Sequence, residues 1–167
     1  MFTGHYPQLM AEYNCWMNER LYEACRQLGD ELLKADRGAF FGSIHHTLNH
    51  ILWGDRVWLA RFNGKTYDVK AMGEPLYEDF SQLHAARVAM DQDFLDWAAG
   101  IDQAWLSEPM TWTSKLYGMS QTVPRWILVT QMFNHQTHHR GQISTLLSQL
   151  GVDIGITDIP MLPVLNA

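Results

Sequence analysis

At 167 residues the chain has the length of one ordinary domain, and its 47% apolar residues with seven tryptophans specify a packed core rather than disorder. The net charge of −6, with twelve Lys and Arg that form no cluster, argues against a nucleic-acid partner, because phosphate binding needs a basic surface. No apolar run approaches the ~18 residues of a membrane span.

Met1 to His5 lacks the basic-then-apolar pattern of a secretory leader. Cys15 and Cys25 fall ten residues apart on one helical segment. At the rise of an α-helix that is about 15 Å, too far for a disulfide. Reduced thiols and no leader predict a cytoplasmic protein.

Four segments carry helical periodicity, within one domain over residues 1–167. The first places Leu9, Tyr13, Trp16, Met17, Leu21, Ala24 and Leu28 on one stripe, with Pro7 near its start and Gly29 at its end. Asp30 to Asp36 adds a helical turn. The second segment runs from Phe41 through Ile44, Leu48, Ile51, Leu52, Trp58 and Leu59 to Phe62, closed by Asn63 and Gly64. The third opens on Asp79 and Gln82 at capping-box spacing and continues through Phe80, Leu83, Met90, Phe94, Trp97 and Ile101. The fourth spans Pro124 to Gly151. Lys65 to Glu78 is long enough to cross one end of a helical assembly, and Thr111 to Thr122, rich in Thr and Ser around Gly118, suits a short hairpin. The predicted fold is all-α: a four-helix bundle with a long crossover between its second and third helices, not a simple up-down-up-down meander.

The chemistry concentrates on the fourth helix. Leu128, Met132, His135, His139, Ile143, Leu146 and Leu150 form one continuous stripe, so both histidine rings should point inward, while His138 falls off the stripe into solvent. Imidazoles at i and i+4 suit two cis positions on one ion. The spacing alone is weak, since a core histidine satisfied by hydrogen bonds shows it too. A third ligand is available on the second helix, where His45, His46 and His50 remain open choices. His50 has small neighbours on its flank in Ser43, Thr47 and Gly54, with Trp53 and Val57 as candidate cleft walls.

Asn134 followed by His135, Gln136, Thr137, His138, His139, Arg140, Gly141 and Gln142 resembles the signature of the DinB-like family of metal-binding four-helix proteins. Thr47 through His50 and Asp55 to Trp58 resembles that family's second-helix motif. The resemblance covers most of the chain and implies one divalent metal, Zn or Ni foremost, on His50, His135 and His139. It further implies a small-molecule substrate, action as a metal-dependent hydrolase or a thiol-using transferase or isomerase, and a homodimer. Richness in Trp and Met, which leaves apolar helix surface to cover, agrees with the dimer. The competing class is a non-catalytic metal-binding or stress-response protein.

Gln136 stands where a zincin places its catalytic glutamate, and an amide cannot take up and release a proton, so a zincin-type peptidase is not expected. Asp55 interrupts the apolar stripe of the second helix and Arg87 that of the third. A buried carboxylate must be paired, so Asp55 is a structural anchor or, with Gln136, a partner that orients a ligand ring. Arg140 reads as structural or solvated rather than catalytic, and Gly141 as allowing close helix packing.

Overall fold

The structure, a computed structural model, describes residues 5–67, 73–114 and 118–165. It is mostly helical. The helices are α1 (His5–Arg26), α2 (Asp30–Lys34), α3 (Ile44–Phe62), α4 (Phe80–Ala99), α5 (Gln103–Ser107) and α6 (Arg125–Gln149). Strands β1 (Pro109–Ser114) and β2 (Met119–Pro124) pair as an antiparallel hairpin before α6. No helix among the described residues is long and apolar enough to cross a membrane.

Local chemistry sets the boundaries. The Asp79 carboxylate accepts from the Gln82 backbone N–H at 2.8 Å and starts α4 at the predicted cap. Ser43 Oγ accepts from the His46 N–H at 3.1 Å and starts α3. That start corrects the sequence reading, which placed Phe41 on the helix. Gly42 has φ +75°, a left-handed conformation that no helix can run through, so Phe41 belongs to the preceding turn. Helix α5 was not foreseen; the Asp102 side chain caps it by accepting from Trp105 N–H at 2.8 Å. In the hairpin, cross-strand hydroxyl pairs Thr111–Thr122 at 2.7 Å and Thr113–Ser120 at 3.1 Å account for its Thr and Ser content. Part of the long crossover, residues 68–72, lies outside the described residues.

Helix α1 packs on α4 and α6, and α3 packs on the same two. Among the four long helices, α1 with α3 and α4 with α6 make little direct contact, whereas α3 and α4, the pair that the long crossover joins, pack on each other. Leu21, Leu48, Leu52, Leu83, Phe94, Met132 and Ile143 fill the centre.

Through that apolar centre runs a polar chain that touches all four long helices. Arg87 on α4 is ion-paired with Asp55 on α3 and, at 2.9 Å, with Asp91 one turn along. Asn18 and Asn14 on α1 donate to Asp91 Oδ1 at 2.8 and 3.3 Å. Gln136 on α6 donates to Asp55 Oδ1 at 2.7 Å, and Arg140 on α6 donates to Asn14 Oδ1. Every one of these side chains is buried. Burial works against the Arg87 charge, but Asp91 and Asp55 outweigh it and raise its pKa. Two carboxylates against two guanidinium groups leave the chain of contacts neutral.

Removing one member strands the others away from water. Asp55→Ala should cost about 3–5 kcal/mol in urea unfolding, because it leaves Arg87 short of a counter-charge and Gln136 without its acceptor. A loss below about 1 kcal/mol at unchanged m-value would show that the network does not brace the helices.

Candidate metal centre

His50 lies mid-way along α3, and His135 and His139 sit one turn apart on the facing side of α6. Ring centroids are 4.9 Å apart for His50–His135, 4.7 Å for His50–His139 and 4.5 Å for His135–His139. One ring nitrogen from each lies within 4.8 Å of the other two, and His50 Nε2 is 3.0 Å from His135 Nε2. Among the described residues these three form the one cluster of potential ligands, with no carboxylate or thiol in it.

The donor set fits a divalent ion. Nitrogens about 2.0–2.1 Å from one ion are separated by about 2.8–3.4 Å at octahedral to tetrahedral angles, a range that includes the 3.0 Å between His50 and His135. The His50 and His135 Nδ1 atoms are buried without partners. Burial is also what keeps these rings neutral. It pushes His50 down to about 3, helped by His135 and His139. Burial likewise pushes His135 down to about 4 and lowers His139. Neutral imidazoles keep their lone pairs free for a metal near neutral pH.

Specific neighbours hold the rings. The Phe41 ring stacks on His50 at 3.9 Å between centroids, and Trp53 stacks on it at 5.8 Å. Gly54 faces His135 so closely that a Cβ there would come within 2.9 Å of His135 Cε1. The small neighbours read from the sequence thus act differently. Gly54 admits the His135 ring, whereas Ser43 caps the helix and Thr47 donates to Ser43 O at 2.7 Å. His139 Nδ1 donates to Gln142 Oε1 at 2.7 Å, which leaves its Nε2 for an ion. Gln142 stands in the sequence motif three positions beyond His139, a spacing at which helix neighbours meet, but the sequence reading gave it no role.

The remaining histidines separate cleanly. His46 is exposed, and buried His45 has its Nδ1 3.3 Å from Asn49 Nδ2, so neither joins the cluster. His138 is exposed, as its place off the stripe predicts, and its Nε2 accepts from Gln142 Nε2 at 3.3 Å. Asp55 and Gln136 bond each other, and among the described residues neither hydrogen-bonds a ligand ring, so the orienting role read from the sequence falls to neither by direct contact. Of the two readings for Arg140, structural or solvated, burial and its bond to Asn14 select the structural one. Gly141 corrects its reading, because a Cβ there would meet open space instead of a packed helix. Cys15 and Cys25 are free, and burial pushes both thiols up to about 12, far from reactive thiolates. Two surface cavities, one beside Arg20 and Asp153 and one beside Lys34 and Ser81, are lined by none of the three histidines.

Comparison with known proteins decides the family, because the DinB family model matches residues 1–165. The chain belongs to the DinB family. Protein DinB of Bacillus subtilis is 28% identical over 153 residues, covering 88% of this chain and 87% of that one. The crystal structure of a DinB-like protein from Bacillus cereus matches with a TM-score of 0.61 at 18% identity, over 84% of this chain and 90% of that chain. The latter likeness concerns the fold alone.

In this DinB-family chain the Gln142 acceptor can be tested directly. Gln142→Ala should weaken metal binding by about 10–100-fold, and Gln142→Glu, which keeps an oxygen acceptor, should restore most of it. Equal affinities in a competition titration of the wild type and the Ala variant would show that Gln142 does not orient His139.

Proposed function

We propose that the four long helices form a four-helix bundle whose three histidines hold one divalent ion, Zn or Ni, and that the protein uses it as an enzyme on a small molecule. The observation that carries this reading is a ligand cluster of three imidazoles that no carboxylate, thiol or fourth imidazole joins among the described residues. Three ligands leave coordination positions for an exogenous molecule, the pattern of catalytic rather than closed structural sites.

When bound, such an ion acidifies a coordinated water or thiol, and a coordinated thiol is deprotonated outright. The chain's own residues favour the thiol. Gln136 is an amide and donates to Asp55, while Asp55 is engaged by Arg87. Neither is placed to take a proton from water at the rings. Thiol-assisted transfer therefore ranks above hydrolysis: the thiol proton passes to solvent, sulfur bonds to an electrophilic carbon, and the leaving group departs with the electrons of the broken bond. His50, His135 and His139 hold the reacting centre. Gln142 and Gly54 fix ring orientation, and Phe41 and Trp53 exclude water from His50.

A second reading, a non-catalytic metal-binding or stress-response protein, is favoured by the depth of the cluster: His50 is 6% and His139 7% exposed. Cytoplasmic location and a homodimer complete the proposal. The exposed apolar side chains Ile156, Met161, Val164 and Leu165 shift the expected dimer surface from helix faces toward the C-terminal turns.

Titrating the Co-substituted protein with cysteine and with glutathione tests the reading. A sulfur-to-metal charge-transfer band is expected. Absence of the band with either thiol, together with metal-requiring hydrolysis of simple esters, would place hydrolysis first.

A further inference from the structure

The turn that precedes α3 carries the most exposed large apolar side chain among the described residues, Phe40, at 78%. It is not a loose loop tip. Gly42 N–H donates to Ala39 O at 2.8 Å, Arg37 N–H donates to Gly42 O at 2.8 Å, and Ala39 and Gly42 form a β-bridge. Gly38 and Gly42, at φ +67° and +75°, supply the left-handed corners that this tight geometry needs. The turn thus holds Phe40 against Phe41 at 4.8 Å between centroids, and Phe41 in turn lies on His50 at 3.9 Å and near His139 at 5.5 Å. An exposed phenyl ring is thus held one ring away from the histidines.

The surroundings of the centre are aromatic: Phe41 and Trp53 both stack on His50. An apolar ring would find Phe40, Phe41 and Trp53.

Resting on the metal-centre reading above, we infer that the substrate of this centre is a small molecule with an aromatic or ring-sized apolar group that packs on Phe40. Hydroxamates probe this without depending on thiol chemistry, because they chelate an accessible metal through oxygen. In the Co-substituted full-length protein, benzohydroxamate should shift the cobalt absorption bands at lower concentration than acetohydroxamate. Phe40→Ala should weaken benzohydroxamate by roughly threefold to tenfold, the size of one aromatic contact, and leave acetohydroxamate unchanged. Equal affinity for benzo- and acetohydroxamate, or equal loss of both in Phe40→Ala, would overturn the inference while leaving the metal centre intact. So would an unaltered preference in Phe40→Ala accompanied by a lower mass in solution, which would assign Phe40 to a contact between copies. If cobalt gives no histidine-ligand spectrum at all, the metal-centre reading itself fails and this inference with it.

Discussion

Asp55 is the point on which the arrangement turns. Its carboxylate is buried on α3, where an unpaired charge is too costly to keep, and its two oxygens are taken by Arg87 of α4 and Gln136 of α6. The pairing is possible only with those three helices at one rotation and one axial position relative to each other. Gln136 is the immediate neighbour of His135, so the bond that satisfies Asp55 also fixes how α6 presents its histidines to His50. Arg87 extends the same constraint through Asp91 to Asn14 and Asn18 on α1, and Arg140 closes it by returning from α6 to Asn14. Apolar packing supplies most of the folding free energy, but apolar surfaces slide with little penalty. The polar network gives the helices a register.

Above that network the histidines occupy a setting that disfavours charge. Burial and mutual repulsion keep the rings neutral, and neutral rings are metal ligands. The backbone contributes as well. At Gly54 the absence of a side chain brings α3 and the His135 ring together, and at Gly42 a left-handed turn sets Phe41 onto His50. The Asp55 anchor and the rings it supports are separate layers. One satisfies charge inside the protein, and the other leaves nitrogen lone pairs free for something from outside.

Much of this was legible in the sequence because it is written in local periodicity. The 3- and 4-residue spacings from Leu128 to Leu150 place His135 and His139 inward and His138 outward, and the Asp79–Gln82 cap sets the start of α4. Features that depend on which helix faces which were less accessible. Asp55 and Arg87 each stand out as charges on apolar stripes, yet their partnership is a property of α3 packing on α4. Nothing in the spacing distinguished His50 from His45 and His46; the family resemblance did, and the geometry brings His50 to the pair. Phe41 read as helical because its apolar character continues the stripe, but the dihedral of Gly42 overrides that pattern. Gly141 was misread because a helical glycine marks close packing only where a neighbour approaches, and here that glycine is Gly54.

The central claim is that His50, His135 and His139 together hold one divalent ion. Elemental analysis of the protein purified without added metal, alongside His50→Ala, His139→Ala and His138→Ala, tests it most directly. The account requires close to one divalent ion per chain in the wild type and in His138→Ala, and little in the other two. A metal-free wild type that also fails to take up Zn or Ni on dialysis, or a full complement in His50→Ala, would contradict it.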